Sequence, residues 1–240
     1  MKKFIAFVFA LMISISAFCS DSLTVFYRIR VDQDIDLSSQ RLVTLGLEKA
    51  REAEADYVII DLDTYGGALN AADSIRSAVL RYEKPVIAYV NMQAASAGAL
   101  ISIACDSIYM KTGSSIGAAT VVNQTGEVMP DKYQSFMRGM MRATAQATGR
   151  DPVIAESMTD TANVLSLTPA EATAAGYCEG ICETEYEVAE QVAHGKQFII
   201  KNMEDDMTLL DRIIQFLLNP LLQSIFMMMI LGGIFVEIRT

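Results

Sequence analysis

Histidine is almost missing from this sequence: His194 is the only one in 240 residues. Serine hydrolysis by the common triad needs an imidazole to take the nucleophile's proton. His194 falls beyond the predicted sheet elements, just ahead of a charged linker, so a histidine base is a poor fit. Zinc coordination is equally ill-served, because such sites draw on several Cys and His side chains. Positive charge is scarce too: 19 Lys and Arg stand against 29 Asp and Glu, for a formal charge of -10. With no basic cluster to neutralise phosphates, nucleic acid is not expected as a partner. The cysteines say little. Cys19 falls in an N-terminal leader and Cys105 reads as core. Cys178 and Cys182 lie in a strand-like segment on one face, too far apart to bond to each other. Internal repeats and low-complexity segments are absent, and no cofactor is expected.

What the chain has in excess is apolar sequence, 52% of its residues, and both ends are specialised. The start, "MKKFIAFVFALMISISAFCSDS", sets Lys2 and Lys3 before an uncharged run from Phe4 to Ala17, then small residues. This is the layout of a secretory signal peptide over residues 1–20. Cleavage falls near Cys19 or Ser20; the bulky Phe18 disfavours a lipid anchor on Cys19, and the run is short for a start-anchor span. At the far end Ile213 to Val236 carries no charge, enough at about 1.5 Å per residue to cross a core of about 30 Å. Asn219, Pro220, Gln223 and Ser224 weaken its first half, so Leu209 to Asn219 can instead be read as an amphipathic interfacial piece. The expected organisation is a domain over 21–200, a linker over 201–212 and a transmembrane segment over 213–236. The chain is expected to be the front portion of a longer membrane protein. A cleaved leader would put the domain on the extracytoplasmic side.

Between these ends the pattern alternates. "LTVFYRIRV" (23–31), "YVIIDLD" (57–63), "VIAYVN" (86–91) and "SIYM" (107–110) read as strands. Helical spacing follows a Ser cap at 38–55, recurs at Leu69, Ala72, Ile75, Val79 and Leu80, and begins again at Ser96. Val121 to Pro130 reads as a loop, and "DKYQSFMRGMMRATAQATG" as an amphipathic helix stopped by Gly149. Thr168 and Glu171 stand at capping-box spacing. Such alternation predicts βαβ units, hence a largely parallel sheet or stacked β-α coils.

Candidate chemistry sits at the strand-to-helix turns. Ser96, in "NMQAASAGALIS", is a hydroxyl set among small residues. It reads either as a small residue at a helix start or as a nucleophile with clearance for a substrate. With no usable histidine, its base must be a lysine or a carboxylate, and a lysine base must be neutral, well below its free pKa of about 10.4. Lys132 fits better than Lys84 or Lys111, because it lies at a helix N-terminus where the macrodipole disfavours a cation. Spacing alone equally permits an ordinary solvated lysine held charged by Asp131. Gly66 and Gly67 end another strand; they are either a tight turn or the source of oxyanion-binding amides. Two consecutive βα turns would lie side by side at the carboxyl edge of the sheet, where the Ala97 amide could complete a two-donor hole.

Several segments in order, "DLDTYGGALNAADSIRSAV", "PVIAYVNMQAASAGALISIACDSIYM", "GSSIGAA" and "SLTPAEATAAGYCEGI", resemble the protease domain of the membrane-bound NfeD (nodulation formation efficiency D) family. The resemblance covers roughly residues 22–195 and runs on into the apolar tail. That family is grouped with Clp protease and signal peptide peptidase A in the crotonase-like fold of stacked ββα units, so an α/β fold of that type is implied. The resemblance implies Ser96 as nucleophile, Lys132 as its base, Gly66 and Gly67 as the oxyanion loop, and Ala97 as the second amide. It implies a serine peptidase cutting apolar segments of membrane-associated proteins, with stomatin-like partners and homo-oligomeric assembly. Complete members carry further spans and a small β-barrel, and the lead-in from Val90 to Ser96 is shorter here. Two rival readings are a non-catalytic membrane scaffold on the same fold and acyl-CoA chemistry. An export signal and the missing basic patch disfavour the latter.

Overall fold

The computed structural model describes residues 23–123 and 125–239; the expected leader over 1–20 and Cys19 lie outside the described residues. From its start β1 (Thr24–Val31) leads through α1 (Leu37–Glu52) to β2 (Tyr57–Thr64), then α2 (Leu69–Val79), β3 (Val86–Ala95), α3 (Ala97–Ala104), β4 (Ser107–Met110) and β5 (Ser115–Gly117). There follow α4 (Asp131–Ala147), α5 (Pro152–Ser157), β6 (Ser166–Leu167), α6 (Pro169–Ala174), β7 (Gly180–Ile181), α7 (Glu185–Ala193) and β8 (Phe198–Asn202). Three helices close the described chain: α8 (Met203–Asp206), α9 (Leu209–Leu217) and α10 (Pro220–Arg239).

The strands make one sheet in the order β6-β5-β3-β2-β1-β8, with β4 beside β3 and β7 outside β4. Pairing is parallel except between β5 and β6. β3 is shared in a way its sequence does not announce. Its first half, Ile87 to Val90, pairs with β4, and its last residues, Gln93 to Ala95, pair with β5. The strand thus runs four residues past the expected Asn91 and carries the chain straight to Ser96. The change of partner falls just before Ser96, which follows the half of the strand paired with β5.

Alternation along the strands splits the core into two faces. Tyr27, Ile29, Val58, Ile60 and Val90 look one way and pack with Val43 and Leu47 of α1, Ile75 of α2, Leu100 of α3 and Met141 of α4. Phe26, Ile59, Ile87 and Tyr89 look the other way, under Val188 and Ala189 of α7. Cys178 belongs to the first cluster and Cys182 to the second, which corrects the expectation of a shared face. Only Gly180 and Ile181 between them are extended strand, so the two-residue alternation does not hold over the full interval.

Three local expectations shift with identifiable causes. α1 is capped by Asp36 rather than by a serine: its carboxylate accepts from the amides of Ser38 (2.8 Å) and Ser39 (3.0 Å), and Ser39 Oγ accepts from the Asp36 amide in return. The capping box at Thr168 and Glu171 is formed, as expected. At the far end the apolar run is divided. α9 stops at Asn219-Pro220, because a proline ring cannot continue a helix through its own amide, and α10 restarts at Pro220. Pro220–Arg239 is the single described helix long and apolar enough to cross a membrane. Part of the expected linker is folded: β8 reaches Asn202 along β1, and Met203 of α8 is buried in the main core.

Candidate active site

At the carboxyl edge the chain makes two adjacent turns, after β2 and after β3. Thr64 ends β2 where the register against β3 shifts between Leu62 and Thr64, an irregularity that re-aims a strand end. Gly66 and Gly67 follow at φ +114° and +151°, values that favour glycine. The backbone of Ile35 clamps them: its amide donates to Gly66 O (2.8 Å), and its carbonyl accepts from the Ala68 amide (2.6 Å). The Gly66 amide donates to Thr64 Oγ1 at 3.1 Å. The Gly67 amide donates to no acceptor among the described residues.

Ser96 lies between β3 and α3 with φ 53° and ψ -112°, a backbone state that a non-glycine residue rarely holds. Strain of this kind costs of order 1–3 kcal/mol and persists only where surrounding contacts enforce it. Here the enforcing contacts are on both sides. The Ser96 amide donates to Gly117 O (2.8 Å), and the Ser96 carbonyl accepts from Ala99 (3.1 Å) to start α3. The Ser96 side chain makes no capping bond and has no hydrogen-bond partner among the described residues. A hydroxyl at a helix start ordinarily caps that helix, so an unused one is informative. It abuts Gly66: a Cβ there would stand 2.7 Å from Ser96 Cβ and 3.1 Å from Ser96 Oγ. Ala97, the first residue of α3, presents an amide with no acceptor, as the first turn of a helix must. Gly67 and Ala97 therefore offer two unpaired donors on the turns that bracket the Ser96 hydroxyl.

Lys132 sits in the first turn of α4 and is exposed, with no ion pair or hydrogen bond among the described residues. Asp131 pairs instead with Arg138 (2.9 Å). With Leu69, Tyr133, Ser135 and Phe136, Lys132 lines an open, largely apolar depression of about 490 Å³. Leu69 is two residues beyond Gly67, so this depression joins the start of α4 to the glycine turn. His194 is elsewhere. It borders Thr24, Tyr57 and Pro85, at the beginnings of β1, β2 and β3. The length of β2, at about 3.3 Å per residue, separates it from Ser96 by roughly 25 Å.

Sequence reasoning missed two supporting side chains and one backbone feature. Thr64 is 2% exposed and touches both turns: its Oγ1 holds Gly66, and its methyl lies where a Cβ on Gly98 would fall, 2.8 Å away. Gln134 is buried on the apolar stripe of α4, where it accepts from Val121 N (3.0 Å) and donates to Val121 O (2.6 Å) and Met129 O (3.1 Å). It fastens the 121–129 loop beside the helix start that carries Lys132. A lone amide in an apolar stripe was the available signal. Ser96's backbone state has no such signal, since it depends on Gly117 across the sheet edge.

Fold and turns together define an α/β unit of the Clp-protease type, with a serine at a strained turn beside a glycine turn. The N-terminal domain model of NfeD1b matches residues 25–201, and this chain belongs to that family. It is 29% identical over 223 residues to the membrane protein NfeD1b of Bacillus subtilis, covering 88% of this chain and 50% of that protein. It is 36% identical over 138 residues to the membrane-bound protease PH1510 of Pyrococcus horikoshii, covering 54% of this chain and 31% of that protein. The chain thus spans half or less of the length of these relatives.

Among solved structures, a serine-to-alanine variant of the 1510-N membrane-bound stomatin-specific protease superposes with a TM-score of 0.69 at 25% identity, covering 75% of this chain and 98% of that one. A lysine-to-alanine variant of the same protease, in complex with a substrate peptide, gives 0.71 at 24% identity over 82% of this chain and 98% of that one. ClpP1 of Listeria monocytogenes shares the fold, with a TM-score of 0.56 at 19% identity over 67% of this chain and 94% of that one.

Proposed function

We propose that this chain is the peptidase portion of a membrane-tethered serine endopeptidase that cuts apolar segments of membrane-associated proteins, stomatin-like proteins among them. The observation that carries the reading is the unpartnered Ser96 hydroxyl, held at a strained turn against Gly66 with the Gly67 and Ala97 amides free beside it. Kinship with a protein named as a membrane-bound protease supports it. In the proposed reaction Lys132 Nζ, in its neutral form, takes the proton of Ser96 Oγ as that oxygen bonds to the substrate carbonyl carbon. The oxyanion forms between the Gly67 and Ala97 amides, donors fixed before the charge develops. Gly66 contributes its missing side chain, which leaves room for the hydroxyl. Lys132 then passes the proton to the leaving amine, and water activated by the same lysine releases the acyl group. A substrate strand laid across the depression between Leu69 and Phe136 would cover Lys132 and exclude water from it. Homo-oligomeric assembly and an extracytoplasmic position belong to the same reading.

The exposure of Lys132 favours one rival, a scaffold that keeps the fold and binds a partner without cutting it. Labelling by a serine-directed phosphonate separates the two. We expect labelling of the intact chain, its loss in Ser96→Ala, and a fall of about 10³-fold or more in peptide hydrolysis in both Ser96→Ala and Lys132→Ala. Unchanged cleavage in the two variants would refute the dyad, and a folded chain that never labels would favour the scaffold.

A further inference from the structure

The helix that precedes the apolar span is amphipathic with its polar side turned inward. On α9, Asp211 and Gln215 face the domain. Asp211 pairs with Arg41 (3.1 Å) and approaches Lys49 (3.9 Å), and Gln215 Nε2 donates to Ser38 Oγ (2.6 Å) and Ser38 O (3.1 Å). Leu209, Leu210, Ile213, Phe216 and Leu217 occupy the opposite arc and are exposed, Leu209 at 75% and Phe216 at 64%. A surface helix of a water-soluble domain is built the other way round, apolar side in. Here the polar side is spent on latching to α1, and an apolar strip about 100° wide or more is left facing out. The next element of the chain indicates its cover. Leu218 and Asn219 alone separate α9 from α10, the helix with the length and hydropathy of a membrane span. The strip is therefore tied within two residues of a bilayer.

We propose that α9 lies in the headgroup layer of the bilayer crossed by α10, apolar face down, so that its latch to α1 seats the glycine turn of the candidate site beside the membrane surface. The apolar side chains enter the boundary between headgroups and acyl chains, as in monotopic helices. Arg212, at the edge of the strip, reaches back to Glu204 O (3.1 Å). The link to the site is short and made of hydrogen bonds. Ser38, which receives Gln215, donates its amide to Asp36 Oδ1 (2.8 Å), and the adjoining Ile35 clamps Gly66 and Ala68. Rotation of the domain about its tether is thereby restricted, and the crevice is presented to chain segments that emerge from the lipid. The inference rests on α10 being the span, and it does not depend on whether Ser96 is catalytic.

The chain contains no tryptophan, so single tryptophans report position without interference. The full chain is reconstituted into phosphatidylcholine vesicles whose acyl chains are brominated either just below the carbonyls or near the methyl ends. Phe216→Trp tests α9, Phe226→Trp tests α10, and Val153→Trp, on exposed α5, is the aqueous control. The expected result is loss of most Phe216→Trp emission with the shallow quencher and little with the deep one. Phe226→Trp should be quenched by acyl-chain bromines and Val153→Trp by neither. An unquenched Phe216→Trp beside a quenched Phe226→Trp overturns the seat while keeping the span. An unquenched Phe216→Trp whose emission shifts with the protein-to-lipid ratio overturns it in favour of a second copy. Failure to quench Phe226→Trp removes the span and the seat together. The phosphonate labelling is read separately, so none of these outcomes is confused with the fate of the peptidase reading.

Discussion

Exchanging one methyl group between Gly98 and Thr64 tests how the two turns of the site are held. Gly98 is in the first turn of α3, and a Cβ built on it lies 2.8 Å from Thr64 Cγ2, where carbon atoms settle at about 3.5–4.0 Å. The other neighbours, Ala94 Cβ at 3.6 Å and Thr64 O at 3.7 Å, are ordinary contacts. Gly98→Ala therefore meets one obstacle, a methyl on a buried residue whose hydroxyl holds the Gly66 amide. Overpacking costs about 1–3 kcal/mol, offset in part by the helical preference of alanine over glycine, at most about 1 kcal/mol. A net loss of about 1 kcal/mol is expected. Thr64→Ser keeps the hydroxyl and removes the methyl, with a cost of about 1 kcal/mol for the lost group. In the double variant the new methyl fills the vacated space, so stability should return close to that of the parent, a coupling of about 1–2 kcal/mol. Turnover of an apolar peptide should follow the same pattern, falling about fivefold in Gly98→Ala if about 1 kcal/mol of the misfit reaches the barrier, and recovering in the double variant. Urea unfolding of the detergent-solubilised chain and initial rates supply the four corners of the cycle. Additive stability changes, or a Gly98→Ala chain with unaltered turnover, would refute the proposed linkage through Thr64.

Ser96→Gly should raise the melting temperature by relieving the positive φ, a gain of about 1 kcal/mol, while abolishing phosphonate labelling; a drop in melting temperature would show that the turn is not strained. Arg150, 6% exposed, donates to the carbonyls of Ile103 (3.3 Å) and Cys105 (2.8 Å) at the end of α3 and to Glu179 (3.3 Å). Arg150→Met should cost about 1–3 kcal/mol by leaving the Cys105 carbonyl unpaired, while Ile103 O keeps the Thr148 hydroxyl at 2.9 Å; an effect near zero in urea unfolding would contradict the role of that bond. Asp61 is 3% exposed, and burial raises its pKa above the ordinary aspartate range against the opposing pull of Arg28 at 3.3 Å. The folded chain thus holds that proton more tightly than the unfolded one. Stability from the neutral form is present below the unfolded pKa and is lost as pH rises through the folded one. Relative to Asp61→Asn, the parent should lose stability on going from acid toward neutral pH, and the opposite slope would contradict the sign.

The alternation of β-rich segments with amphipathic helices determined the α/β class, because side-chain period is a local property that burial on either face leaves in the sequence. The near-absence of histidine and the position of Lys132 at a helix start were equally legible, and family motifs named Ser96, Gly66, Gly67 and Ala97 in order. What those residues share in space was not legible. Asp36 displaced the expected serine cap because a carboxylate can accept from two amides at once, a choice between neighbours that pattern does not rank. β3 outran its apolar stretch because a new partner, β5, became available at its end. Ser96 takes its strained backbone from Gly117 across the sheet edge, and Gly66 is held by a hydroxyl that sequence reading passed over. The inward polar side of α9 depends on Arg41, Lys49 and Ser38, residues more than a hundred positions away. Period and composition act within a few residues and so survive in the sequence alone. The strain at Ser96, the free amides beside it and the outward apolar strip of α9 are contacts between distant segments, and only the folded chain brings those segments together.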